Sequence, residues 1–468
     1  MDRAKSFILW VSDRFSADTD ENASPRVRYD LSTLMLVVLA GPVVGFFLSL
    51  GGELVPDKLV ADALVEGVRD GSFEEENYSI SRLGHRSDNF SECIALTIGF
   101  DDPEGSTPIE TALTSASGGK CTIAVPMLLA YAENGDLVAA PYFRYWHGHT
   151  SYTRPALAAL GVTGMRTGAW GIMIAAFIAV GVTIARRYGW VLAAALLAPL
   201  ALATDFATLA DTAHQSLALA VTLAGAAFVA HLAQGRRTLQ LLSIGAIAGS
   251  ATSFIDLLTT PIVATTLLIT IVLISSFDEG HRNWILLSRG VSLGVGWSIG
   301  YVTMWVAKWI LAALVVGYDE VRKDITGQVS FRLTGEHELV STDLLAATRD
   351  NLNFFLGQPF AWPLVVGSGA LAVVSVGRYL LRTGDIISPL ILLSPVAIPA
   401  IWYEMMSNHT QIHNWITFRA CAISVGTIGA TAVLLWRTQS FQQSDEASSN
   451  TATSTLHSSS RSRSGSDR

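Results

Sequence analysis

Ten stretches of this chain are predominantly apolar. They fall at about 31–51, 167–185, 191–210, 215–233, 240–255, 261–276, 285–316, 361–377, 386–403 and 417–436. A helix rises about 1.5 Å per residue, so about 20 such residues cover the roughly 30 Å of hydrocarbon in a bilayer. Strands of a membrane barrel alternate apolar and polar positions over about 10 residues, which these runs do not do. The pattern predicts an all-α polytopic membrane protein with about ten transmembrane helices. The run at 240–255 is short and polar at one end, so its limits are soft.

Between the runs, cations fall in alternate connections: Arg186–Arg187, Arg236–Arg237, Arg282, Arg378 and Arg382, with Arg3, Lys5, Arg14, Arg26 and Arg28 ahead of the first run. The positive-inside rule then expects both termini in the cytoplasm of a plasma membrane. No cleavable signal peptide is apparent. The division expected is a cytoplasmic segment 1–30, a membrane domain 31–436 and a tail 437–468. That tail is Ser-rich with scattered Arg and has no apolar pattern, so it reads as a disordered cytoplasmic extension.

Two outer loops follow from the same rule, 52–166 and 317–360. Residues 52–153 hold 16 Asp/Glu against 6 Lys/Arg, a net of −10, beyond the −8 of the whole chain. A loop this large, with apolar segments at Ile94–Ile98 and Ile123–Ala132, should pack on the outer membrane surface. Residues 55–70 put Leu59, Val60, Ala63, Leu64 and Val68 on one helical face. That helix lies flat at the interface or covers the loop's own core.

Composition narrows the class. Half of the 468 residues are hydrophobic, only 15% are charged and mean hydropathy is +0.41. An average soluble chain carries about 25% charged residues. The acidic balance gives no case for nucleic-acid binding. No Walker motif, GxGxxG loop or GxSxG elbow stands in a usable context, so an activated donor should be lipid-linked. The Ala/Gly/Arg-rich composition suggests a bacterium. No internal repeat of the kind that marks many transporters is evident.

Candidate chemistry is read from polar groups that a bilayer should exclude. They gather at the expected outer face. Asp205, Asp211 and His214 lie between the third and fourth runs, and Asp256 ends the fifth. Arg144-Tyr145-Trp146-His147-Gly148-His149-Thr150, followed by Arg154-Pro155, mixes interface aromatics with groups that bind phosphate or sugar hydroxyls; the alternative is an aromatic belt with snorkelling cations. Ser407-Asn408-His409-Thr410-Gln411-Ile412-His413, followed by Arg419, offers hydrogen bonds to a polar substrate and a cation for a phosphate, or else a satisfied turn between spans. His409 and His413 share a helical face at i, i+4, but no third ligand stands at a fixed spacing, so no metal site is assigned. Lys308, in the outer half of the seventh run, snorkels to the interface or meets a lipid phosphate.

Cys93 and Cys121 fall in the same outer loop and Cys421 in the last run. An oxidising compartment permits a Cys93–Cys121 disulfide. It would contribute roughly 3 kcal/mol in the chain-entropy model; two free thiols in the loop's core are the alternative. In Asp88-Asn89-Phe90-Ser91-Glu92-Cys93, a carboxylate pinned by that bond, Glu92 or Asp88, is a reasonable general base. A solvated acidic face is the other reading.

This layout, with about ten spans, a large acidic first outer loop and outward polar clusters, resembles the GT-C class of integral-membrane glycosyltransferases over roughly residues 30–436. The two strings around Tyr145–Gly148 and Ser407–His413 resemble strings found in bacterial membrane proteins of this kind. The resemblance implies inverting transfer of a sugar from a polyprenyl-phosphate donor to a saccharide or lipid acceptor at the outer face. Glu92 or Asp88 would be the base, although the class often carries its acidic residue closer to the first span, where Asp57 and Asp62 stand here. Arg144, Arg154, Lys308 and Arg419 would hold phosphate. His147, His149, Asp205, Asn408, His409 and His413 would contact substrate. No cofactor is implied beyond the lipid-linked sugar, and a divalent metal is left open. A flippase or transporter of lipid-linked saccharide, and an outer-leaflet acyltransferase, are the competing functions.

Overall fold

The computed structural model describes residues 24–438, save 81–85, 101–106, 136, 138, 205, 260, 335–337 and 339. The expectations for 1–23 and 439–468, and for Asp205, fall outside the described residues. Helix α1 spans Ser24–Glu53 and α2 Asp57–Arg69. A hairpin, β1 Tyr78–Ile80 and β2 Arg86–Asp88, pairs antiparallel with Tyr78 opposite Asp88. Then come α3 Asn89–Leu96, α4 Pro108–Thr114, α5 Cys121–Asn134, α6 Thr150–Tyr188 and α7 Trp190–Leu202. The core continues with α8 Ala213–Leu232, α9 Thr238–Ile255, α10 Pro261–Asp278 and α11 Asn283–Val316. After α12 Tyr318–Thr334 and α13 Ala346–Leu356 follow α14 Ala361–Thr383, α15 Ile387–Met405, α16 Ser407–Ile412 and α17 Asn414–Thr438.

Among the described residues nine helices are long and apolar enough to cross a membrane: α1, α6, α8, α9, α10, α11, α14, α15 and α17. This is a multi-pass, all-α membrane protein. The third run, expected at 191–210, is corrected. Its helix, α7, ends at Leu202 after 13 residues, and a 3₁₀ turn follows at Thr208–Asp211. Thirteen residues rise only about 20 Å. Yet α7 must still bring the chain back, because α6 and α8 run parallel. Glu92 bridges Arg166 of α6 to the start of α8, and Arg187 at the end of α6 donates to Ala230 near the end of α8. The return is therefore made by a short helix and the described chain after it, which is not α-helical up to Thr212.

The other departure is at α6, which begins at Thr150, well before the run expected at 167. Its helical geometry breaks once, at Gly161, whose φ of 68° is open to glycine. The first turns pack in the loop layer and the remainder is the span.

The helix ends sort into two faces. One, the loop face, carries the described residues of 54–149, α12, α13, α16 and those of the short connections at 203–212 and 256–259. The cations Arg186, Arg187, Arg236, Arg237, Arg282, Arg378 and Arg382 lie at the other ends. There Arg289 of α11 donates to the Ala233 carbonyl at 3.0 Å, and Arg437 of α17 to that of Tyr188.

Small residues bring two spans together. Gly245 and Gly249 of α9 face Gly296 and Gly300 of α11, and a Cβ on any of the four would collide with backbone carbonyls of the opposite helix, those of Leu293, Trp297, Leu242 and Ala246. Lipid supplies no hydrophobic drive between helices, so this close backbone approach, at four-residue spacing on both partners, is what packs them.

The loop layer has its own core. Val60, Ala61 and Leu64 of α2 are fully buried and cluster with Cys93, Leu96, Cys121, Leu128 and Leu157. Of the two readings left open for 55–70, a helix covering the loop's core describes α2.

Candidate functional site

The Cys93–Cys121 disulfide is formed, with Cα atoms 5.1 Å apart, in the usual range for such bonds. It ties α3 to α5. Asp88 caps α3 by accepting from the Ser91 N–H at 3.1 Å, and its other oxygen accepts from the Gln215 amide at 2.8 Å. The Gln215 oxygen in turn accepts from Arg419 at 2.8 Å. Asp88 and Arg419 thus belong to one buried chain linking the loop to α8 and α17.

Glu92 is fully buried. Its carboxylate accepts from His214 Nδ1 at 2.7 Å, the Ala213 N–H at 3.0 Å and Arg166 Nε at 3.2 Å. Thr212, at the start of α8, makes no side-chain cap of its own; Glu92, from another element, satisfies those first N–H groups instead. Burial pushes its carboxyl up, but the His214 hydrogen bond, Arg166 and the Ala213 N–H outweigh it and bring the value down to about 2. Such a group is a poor proton acceptor near neutral pH, and every donor around it is structural.

The string Arg144–Thr150 is a plug at the ends of α9 and α11. The Trp146 indole donates to the Met304 carbonyl at 2.6 Å, and the Gly148 N–H to that of Phe254 at 2.8 Å. His147, at a φ of 55°, bonds the Tyr142 carbonyl through Nε2 at 2.8 Å, and His149 bonds that of Ala95 at 3.2 Å. Both histidines are buried. Burial and the neighbouring His149 hold His147 well below the usual imidazole range, and burial with His214 brings His149 to about 4.

Arg154 donates to the carbonyls of Gly52, Ile98 and Val55, and pairs with Asp57 and, at 3.4 Å, with Glu53. Lys308 does not snorkel. It is fully buried under the loop layer, donating to the Ala112 carbonyl at 2.7 Å and the Ser115 hydroxyl at 2.8 Å. Arg144 is held by Asp324 of α12 through two hydrogen bonds, at 2.8 and 2.9 Å. Asn408 is buried in α16.

Two adjoining cavities on the loop face remain open. The first, about 220 Å³, is an almost wholly apolar groove between α11, α12 and the end of α15, walled by Trp305, Trp309, Trp402, Val329 and Met406. The second, about 70 Å³, is polar and is lined in part by the loop layer. Tyr142, Thr259, His409 and His413 line it, with Ser91 of α3. Neither Glu92 nor Asp88 lines either cavity, whereas Arg144 lines the groove and the two histidines line the pocket.

Two residues, Tyr145 and Arg332, line both cavities. The Arg332 guanidinium lies 5.5 Å from the Tyr145 ring centroid, a cation–π distance. Among the described residues no carboxylate pairs with it; it shares a side-chain hydrogen bond with Tyr145, and Tyr142, Arg144 and His409 are among its electrostatic neighbours. A largely desolvated guanidinium without a carboxylate partner, at the meeting point of an apolar groove and a polar pocket, is a site for an anion attached to an apolar chain.

Arg332, Trp305, Trp309 and Trp402 are the residues that reading along the sequence passed over. One signal was present. Ile325, Val329 and Arg332 fall at i, i+4 and i+7 of α12, a cation continuing an apolar stripe.

No protein-family model, no curated protein and no solved structure matches this chain.

Proposed function

We propose that this protein is an integral-membrane glycosyltransferase that takes a sugar from a polyprenyl-phosphate donor and passes it to a hydroxyl acceptor at the loop face. The observation that carries the reading is the continuity of the two cavities through Arg332. An isoprenoid tail needs an apolar, tryptophan-edged groove at the end of spanning helices. A phosphate needs a guanidinium free to bind two of its oxygens. A sugar needs a polar chamber beyond it, with imidazoles and hydroxyls to accept and donate. The loop face supplies these three in that order.

Arg144, held by Asp324, faces the groove as a support of its wall and of α12. His413 and Thr259 contact the sugar. Arg332 holds the phosphate and stabilises charge as it leaves.

The test is reconstitution of the full chain in vesicles with a radiolabelled polyprenyl-phosphate sugar. Label passing into an acceptor, lost in Arg332→Ala and partly regained in Arg332→Lys, supports the reading. Label that crosses the bilayer still on its lipid would favour the flippase. Label that stays on its lipid without moving, with donor bound no better than by empty vesicles, would end the proposal.

A further inference from the structure

An inverting transfer needs a group to take the acceptor's proton, and neither loop carboxylate singled out by sequence lines the pocket. Among the described residues the pocket is lined by no Asp or Glu at all. Its proton acceptors are two imidazoles. His409 is fixed: its Nε2 bonds the Leu258 carbonyl at 3.3 Å. A carbonyl oxygen only accepts, so Nε2 carries the hydrogen, and in the neutral ring Nδ1 is left with its lone pair. His413 packs beside it at a tilt, ring centroids 4.8 Å apart, and itself meets the Trp415 ring at 5.2 Å.

We propose that His409 is the general base of the transfer, its Nδ1 taking the proton of the acceptor hydroxyl. This rests on the glycosyl-transfer reading above. As the acceptor oxygen attacks the anomeric carbon, a new C–O bond forms there. The bond from that carbon to the donor's phosphate oxygen breaks, and its electron pair leaves with the phosphate beside Arg332. The proton sits on the His409 imidazolium and can then move to the released phosphate monoester, whose second ionisation lies at about 6.

The surroundings keep the ring ready. The charged and titratable groups around it are His413 beyond α16, Arg332 of α12, Tyr142 and Tyr145 from the plug, and Asp256, which lies behind Thr259 and accepts from its N–H at 2.9 Å. Burial, His413 and Arg332 together hold His409 well below the usual imidazole range. It is therefore neutral at pH values where an ordinary histidine is partly protonated; the same burial and cations weaken it as a base, and the donor's phosphate anion beside Arg332 offsets that as the imidazolium forms.

The experiment compares wild type, His409→Gln and His413→Ala in vesicles, reading donor binding, transfer rate and its pH profile. Glutamine keeps a donor near the Nε2 position for the Leu258 carbonyl but has no basic nitrogen. Transfer should fall about 10²–10⁴-fold in His409→Gln. Donor affinity should stay within about threefold, since the base contributes to the transition state and little to ground-state binding. The acid limb of the rate profile should persist in His413→Ala and vanish from the residual activity of His409→Gln. Should the glutamine variant fail to bind donor, His409→Asn, whose amide falls near Nδ1 instead, is the second test. Full transfer in a His409 variant, or an acid limb unchanged in it, would overturn the base while leaving the glycosyl-transfer reading standing. A wild-type protein that binds donor and transfers nothing would overturn both.

Discussion

Two polar regions lie on the same face of this molecule and differ in one respect. Around Glu92 and Arg154, every charge has met its counterpart. Glu92 accepts from His214, Arg166 and the start of α8; Arg154 donates to three carbonyls and pairs with two carboxylates. Around Arg332 and His409, a guanidinium with no carboxylate beside it among the described residues meets a groove and a chamber. Saturated clusters hold a fold together, because breaking them strands a buried charge. Unsaturated ones keep binding energy for something else. The contrast speaks for architecture in the first region and, on the proposed function, for chemistry in the second.

Sidedness is the largest effect to test, being all or none. Charge asymmetry expects reporter fusions after residues 120 and 340 to report outside, and those after 236 and 440 inside. One fusion on the wrong side would invert the loop face and take the site to the cytoplasm.

Next comes Arg154→Met. It leaves Glu53 and Asp57 facing a vacated, nearly solvent-free position, and should cost about 3–5 kcal/mol. Loss of a monodisperse gel-filtration peak, or a large fall in Tm of the solubilised protein, is the readout. An Arg154→Met protein as stable as wild type, with donor affinity lost, would move Arg154 into the site.

The double variant Cys93→Ser, Cys121→Ser should lose about 3 kcal/mol. Non-reducing mass spectrometry of the wild type should find the two peptides linked. Alkylation of both thiols without reductant would contradict the bond.

A smaller cost, about 2 kcal/mol, is expected for Glu92→Gln, which exchanges charge-assisted hydrogen bonds for neutral ones. The pH dependence has a definite sign. Glu92 sits at about 2 in the fold against an ordinary value of 4.5. Its contribution is complete above 4.5 and is lost as pH falls toward about 2. Wild-type Tm should therefore fall across that window more steeply than Tm of the glutamine variant. Parallel curves would mean that Glu92 is not held as described.

Much of the fold was legible along the chain. Apolar runs long enough to span a bilayer announce nine of the helices, because lipid demands it of every residue in them. The short α7 escaped because apolar residues after Leu202, outside any α-helix among the described residues, count the same in a hydropathy run as residues in one. The disulfide was readable from two cysteines in one loop. The candidate site was legible by composition, not by role. His409, His413 and Arg144 were singled out and do line the cavities, while Glu92, Asp88, Arg154, Lys308 and Arg419, equally conspicuous as charges, turn out to be engaged elsewhere. Whether a buried charge is satisfied depends on partners up to some 200 positions away, as Arg419 and Gln215 are, and no local pattern reports that. Arg332 was overlooked for the opposite reason. It stands in a helix full of ordinary surface charge, and only its contact with Tyr145 and its place on both cavity walls separate it from Arg322 and Lys323.

The most direct measurement of the central claim is the affinity of purified full-length protein for a polyprenyl-phosphate sugar in two variants, Arg332→Ala and Glu92→Gln. A charged hydrogen-bond partner contributes about 1.5–3 kcal/mol, so Arg332→Ala should weaken binding by about 10- to 100-fold. Glu92→Gln, once folded, should bind within about twofold of wild type, as expected for a change away from the contact surface. Donor affinity that survives the loss of Arg332 and collapses with Glu92 would contradict the account.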